Sequence, residues 1–133
     1  GDWIQEMALR LQLYRRIGGI QQLNDVDTLR HELRDRFGEL PNAVDGLLYQ
    51  IQVKLLATAI NATHVMKPRD VIEIRLPWLP HINRSALEQH LGDDVRVTRT
   101  AVELQHDTDN LWQLRLIDIL EMLRAALPQE MGV

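Results

Sequence analysis

The chain contains no cysteine. That excludes a disulfide scaffold, a thiolate metal site and a cysteine nucleophile, and it suits a reducing compartment, so a cytoplasmic location is expected. There is one serine, Ser85, and no Gly-x-Ser-x-Gly elbow surrounds it. A hydrolase nucleophile finds no support there; near the start of a predicted helix, the hydroxyl is expected to cap free amides. No apolar run approaches the length of a membrane span, and no signal peptide is visible. An excess of positive charge is missing too. Fifteen Lys and Arg against nineteen Asp and Glu give a net charge of −4, the opposite of a dedicated nucleic-acid binder. Aromatic residues are scarce, at 5%, and form no stacking series for single strands. Gly18-Gly19 lacks the Lys and Ser/Thr that complete a phosphate loop. The five histidines, His31, His64, His81, His90 and His106, stand in no metal-ligand spacing. No catalytic residue, cofactor or metal is expected, and the chain is not expected to be an enzyme.

What is present is an ordinary globular composition: 133 residues, 45% hydrophobic and 26% charged. A chain of this length buries about two-thirds of its unfolded surface and needs no staples. It is expected to form one domain over residues 1–133 and, lacking a heptad seam, to be mainly monomeric. Gly1 in place of Met is taken as a cloning scar at the head of a piece of a longer protein.

The first predicted helix runs from Asp2, as N-cap, to about Ile17. Ile4, Met7, Ala8 and Leu11 form one apolar stripe, and Leu9 and Leu13 a second on another side. Such a helix is either central in its domain, the reading adopted, or covered by something outside this chain. Gly18-Gly19 ends it. A second helix starts near Asp25, carries Val26, Leu29, Leu33 and Phe37, and stops at Gly38, with Pro41 close behind. A third begins around Pro41 with Val44, Leu47, Leu48, Ile51, Leu55 and Ala59 on one face and Asn61 as C-cap. The short link Gly-Glu-Leu-Pro makes helices two and three a helical hairpin.

The periodicity then changes. Thr63–Met66 and the alternating Val71–Leu76, joined by Lys67-Pro68-Arg69-Asp70, predict a hairpin. Pro77 and Pro80 bracket Trp78, which is either a partner anchor or a cap on the core. Asn83 caps a short helix with Leu87 and Leu91, closed by Gly92. Val95–Thr98 and Val102–Gln105 predict a second hairpin. Thr108 or Asp109 opens a long last helix carrying Trp112, Leu116, Ile119, Leu120, Leu123 and Leu127, stopped by Pro128. Residues 129–133 are expected to be a loose tail. Helices and strands are segregated, so the fold class is α+β: three N-terminal helices, two hairpins in a small antiparallel sheet with a short helix between them, and a long C-terminal helix.

Charges on the second helix draw attention to one pair. Glu32 and Asp35 lie about 105° and 165° from the centre of the Val26-Leu29-Leu33-Phe37 stripe, so both point away from the core. By themselves they fit a solvated face, with Glu32 pairing weakly to Arg36 one turn on. Arg30, Arg34 and Arg36, interleaved with Asp27, Glu32 and Asp35, also fit a salt-bridged face.

Leu13-Tyr14-Arg15-Arg16-Ile17, then Glu32-Leu33-Arg34-Asp35-Arg36-Phe37-Gly38-Glu39-Leu40-Pro41, then Leu47-Leu48, resemble the C-terminal domain of the bacterial transcription-repair coupling factor (Mfd) family. The resemblance is tight from Trp3 to Asn61 and a matter of element order beyond. Arg34 stands where the family often has an apolar residue, Gly18-Gly19 replaces a small polar link, and Asn61 stands where Gly is common. The resemblance implies a large parent protein, an ATP-dependent DNA translocase that binds RNA polymerase and DNA, pushes stalled polymerase off a lesion and recruits excision repair through a UvrB-like module. It implies that this domain packs on that module in the resting state and masks the surface UvrA would use, with Glu32 and Asp35, and Arg36 beside them, as the partner-binding residues. The alternative is an accessory nucleic-acid-binding domain of the same motor, using Arg10, Arg15 and Arg16 or the arginines of the second helix.

Overall fold

The computed structural model describes residues 2–17, 19–20, 22–106 and 111–127, with the side chains of residues 2–6, 14 and 17 outside the description. Its contacts divide the chain into two compact units, residues 1–55 and 56–133.

The first unit is helical. Helix α1 spans Asp2–Ile17; Asp2 is itself helical, and its expected capping role and the side chain of Ile4 lie outside the described residues. Of the two apolar stripes on α1, the second is the buried one. Leu9 and Leu13 are each 2% exposed, while Met7 and Leu11 are 45% and 53% exposed. Periodicity marks both stripes equally, and only the packing of Leu9 and Leu13 into a cluster with Val26, Leu29, Leu33, Leu40, Val44 and Leu48 decides between them. Gly19 continues from the helix end, its amide donating to Arg16 O at 3.1 Å; Gly18 is outside the described residues.

Helix α2, Leu23–Phe37, starts two residues earlier than its sequence suggests. Asp25 does cap a free amide, but from inside the helix. It is the third helical residue, and its carboxylate reaches back to accept the Gln22 amide at 3.1 Å, the reciprocal half of a capping box. At the other end Gly38 takes φ 77, a left-handed value that lets its amide donate to Arg34 O at 2.8 Å. Pro41 O then accepts from the Val44 and Asp45 amides, which starts α3, Asn42–Ala59. On α3, Val44 and Leu48 join the first core and Leu47, Ile51 and Leu55 pack against it. Ala59, expected on the same face, is exposed. Leu56, with Ile60 just beyond the helix, is buried instead, both fully, a second apolar face at the helix end that the first stripe hides from a periodicity count. Asn61 has φ 61, as its capping role requires.

The second unit is built on a four-stranded antiparallel sheet of β1 (His64–Met66), β2 (Val71–Arg75), β3 (Val95–Val97) and β4 (Ala101–Gln105), in the order β1-β2-β4-β3. Both predicted hairpins form, and β2 joins β4 between them, with Ile72 opposite Leu104 and Ile74 opposite Val102. These four side chains are buried, as are Leu116, Ile119, Leu120 and Leu123 of α5, Trp112–Ala126. The expected opening of this helix at Thr108 or Asp109, its stop at Pro128 and the tail 129–133 all lie outside the described residues. Helix α4, Arg84–Leu91, is capped by Asn83, whose Oδ1 accepts from the Ala86 amide at 3.1 Å. Ser85 therefore does not cap it; it is exposed on the first turn. Trp78 serves the core: its indole N–H donates to Ile60 O at 2.8 Å. Among the described residues no helix is long and apolar enough to cross a membrane.

Candidate protein-interaction surface on α2

Helix α2 turns Val26, Leu29 and Leu33 inward, all at most 1% exposed. Three buried anchors fix its rotation, so the opposite side is presented in one orientation. Glu32 and Asp35 are exposed on the side away from these anchors, and Arg36 is exposed beside them. This agrees with the angles derived from helical geometry.

The partner of Glu32 differs from the one its spacing suggests. Its carboxylate accepts hydrogen bonds from both terminal nitrogens of Arg16, on the last turn of α1, instead of pairing with Arg36. The helical i,i+4 rule sees only one helix; here a neighbouring helix supplies a planar fork that matches a carboxylate. The Arg16 hydrogen bond holds the Glu32 carboxyl below its ordinary range, with burial opposing and the charges of Arg16 and Arg36 adding to the effect. Arg36 lies over the Phe37 ring, 6.0 Å from its centroid. Asp35 has no hydrogen bond or ion pair among the described residues. The two acids are thus unequal: Glu32 is oriented and neutralised by Arg16, and Asp35 is the bare charge.

Arg30 and Arg34 behave as a salt-bridged face should. Arg30 lies 3.8 Å from both Asp27 and Asp45, and Arg34 3.8 Å from Asp45, so they link α2 to α3. Sequence reasoning missed Asp45 and the pairing of Arg16 with Glu32. The doublet Arg15-Arg16 in the last turn of α1 was the available signal, but a cross-helix pair depends on how two helices meet and not on a spacing. The histidines are not drawn together. His31, His64, His81 and His90 are exposed, and His106 stacks against Trp112 at 5.7 Å. No group of three or more metal-ligating side chains occurs among the described residues.

A helical hairpin with Glu32 and Asp35 exposed among the arginines of α2, followed by a small antiparallel sheet and a closing helix, defines a class that comparison identifies. The TRCF domain family model matches residues 1–87, and the chain belongs to that family. Transcription-repair-coupling factors are similar to it in sequence. That of Rickettsia conorii is 40% identical over 60 residues, 45% of this chain and 5% of the relative. That of Rickettsia prowazekii is 34% identical over 74 residues, 56% of this chain and 7% of the relative. That of Haemophilus influenzae is 34% identical over 64 residues, 48% and 6%. The matches span no more than 7% of the length of these relatives. In fold, the chain resembles the crystal structure of the C-terminal domain of transcription-repair coupling factor, with a TM-score of 0.63 and 18% identity over 89% of this chain and 82% of the other.

Proposed function

We propose that this domain is a non-catalytic, autoinhibitory interaction module of a transcription-repair coupling factor, which docks α2 against a basic surface of the parent's UvrB-like module and so masks the surface UvrA would use. The observation that carries the proposal is the pair Glu32 and Asp35, exposed side by side on a helix whose other face is locked into a core. Fixed exposed charges give partner choice and fast encounter more than raw affinity. A polar contact inside one chain can stay weak and still be occupied, because tethering supplies a high effective concentration. It can then open when the parent, acting as an ATP-dependent translocase on DNA with stalled RNA polymerase, draws the two surfaces apart. Arg36 sets the edge of the contact beside the acids.

The test is UvrA binding by the full-length parent, with and without Glu32→Ala and Asp35→Ala. The double variant is expected to bind UvrA more readily, with the difference from wild type largest at low salt, where the wild type's contact is strongest. Thermal melting of the 133-residue chain is the control. Equal UvrA binding by two equally folded proteins returns both acids to the role of solvated surface. Binding of duplex DNA by the chain at physiological salt would favour the nucleic-acid alternative.

A further inference from the structure

Helix α1 carries two apolar stripes, and the first core uses one of them. Met7 and Leu11 are 45% and 53% exposed and stand about 140° and 180° around the helix from the midpoint of Leu9 and Leu13. Turning the helix to cover them would pull Leu9 and Leu13 out of the core, where each is 2% exposed. Their exposure is therefore fixed, and it is contiguous, because residues four apart on a helix are neighbours. Ile4 and Tyr14 extend the spacing in the sequence, three before Met7 and three after Leu11, and α1 includes both positions.

An alternation of threes and fours is the spacing of a seam that receives a second helix. This one is roughly two heptads long, short of the roughly three or four by which a coiled coil is recognised. The charges beside it narrow the occupant. Arg10 and Arg15 fall about 80° and 60° to either side of the stripe, while the acidic positions of the helix, Asp2 and Glu6, fall about 160° and 120° from it. Two copies of this chain would set Arg10 against Arg15 if parallel and Arg10 against Arg10 if antiparallel. Like charges in those places count against self-pairing. A helix with carboxylates beside its apolar residues meets no such opposition. It must also be held close, because so short a seam is a poor trap for a free helix.

We infer that the Met7–Leu11 face of α1 is covered by an amphipathic helix, apolar with carboxylates beside the apolar stripe, from another part of the parent protein. The inference rests on the chain being a domain of a longer transcription-repair coupling factor, as the proposed function does, but not on the role of Glu32 and Asp35. The matched relatives have ample chain to supply such a helix, since the matches span no more than 7% of their length. Tethering supplies the effective concentration that the short seam needs.

Methionine oxidation reads the cover directly, because exposed thioethers form sulfoxide. In the 133-residue chain, Met7 is expected to oxidise in dilute peroxide at a rate similar to that of Met66, which is 51% exposed. In the full-length parent, Met7 is expected to oxidise at least about fivefold more slowly than in the chain. Leu11→Lys, and separately Arg10→Glu with Arg15→Glu, are expected to remove that protection, with melting of the 133-residue chain as the control for folding. The Glu32→Ala, Asp35→Ala parent is expected to keep Met7 protected while binding UvrA more readily, so each reading can fail alone. Equal Met7 oxidation in chain and parent would overturn the inference. So would protection in the chain that grows with its concentration, the mark of a second copy as occupant, or protection in the parent that survives both sets of substitutions.

Discussion

In the first unit, Arg16, Arg30 and Arg34 reach carboxylates across helix surfaces open to water: the side chains of Glu32, Asp27 and Asp45 are 46%, 69% and 40% exposed. In the second unit, Arg115 of α5 does something different. Its Nε and Nη2 donate to both oxygens of Asp94 at 2.8 Å, Nη2 also donates to the carbonyl of Leu91, and Nη1 reaches Asp118. The Leu91 carbonyl is at the C-terminal end of α4, where carbonyls lack helical partners. One side chain thus ties the end of α4, the turn into β3 and the first turns of α5 together. The first unit's ion pairs decorate a surface that is set by leucines. The Arg115–Asp94 pair of the second unit is part of how its chain turns. Charge at the first can be altered for recognition with little effect on folding, whereas charge at the Arg115–Asp94 tie also holds the turn between α4 and β3.

The largest effect that would sharpen this contrast comes from removing a core side chain. Leu104→Ala empties a fully buried position and is expected to destabilise the second unit by about 2–5 kcal/mol, seen in urea unfolding through the fluorescence of Trp78 and Trp112. A loss below that range would mean that the sheet face collapses around the gap. Gly92→Ala comes next. Its φ of 128 disfavours a side chain, and a Cβ there would stand 2.7 Å from Arg115 Nη2. It is expected to cost about 1–3 kcal/mol, and a neutral result would show that the Arg115 tie can move aside.

The smallest effects concern pH and salt. The hydrogen bond from Arg115 holds the Asp94 carboxyl below its ordinary value of 3.8, although burial opposes it. A group depressed in the folded state stabilises above its unfolded value, and that contribution is lost as pH falls below about 3.8 toward the folded value. Asp94→Asn should therefore be less stable than wild type near neutrality and lose less on acidification, measured as melting temperature between neutral pH and about pH 2. The counterpart in the first unit is Arg16→Gln. With both partners solvent-exposed, its effect on melting should be slight and should vanish at high salt. A large, salt-resistant loss there would break the distinction between the units.

Much of this fold was legible because local and global signals coincide. Gly38, Gly92 and Asn61 stand where positive φ is needed, Asn83 where an amide lacks a partner, and the alternation around Ile72 and Ile74 leaves no other element to form. What was not legible depends on neighbours. Which stripe of α1 faces inward, the burial of Leu56 and Ile60, and the capture of Glu32 by Arg16 are properties of packing between elements, and no count along one helix contains them. The outward placement of Glu32 and Asp35 was legible because Val26, Leu29 and Leu33 define the inward side of α2 unambiguously. Their inequality was not, since it is made by an arginine on another helix.

The order of the sheet has a consequence for how this chain behaves in a crowded solution. Its two five-residue strands, β2 and β4, are inside, and its edges are the three-residue strands β1 and β3. An edge offers unpaired amides and carbonyls to any passing strand, and short edges with charged side chains are poor templates. Arg96 is exposed at the centre of β3, between Val95 and Val97, so an incoming strand would gain few backbone bonds and would have to lie against a charge. The β3 edge is closed further from α4, where the Glu88 carboxylate accepts the Val97 amide at 2.9 Å, so a passing strand finds that donor already taken.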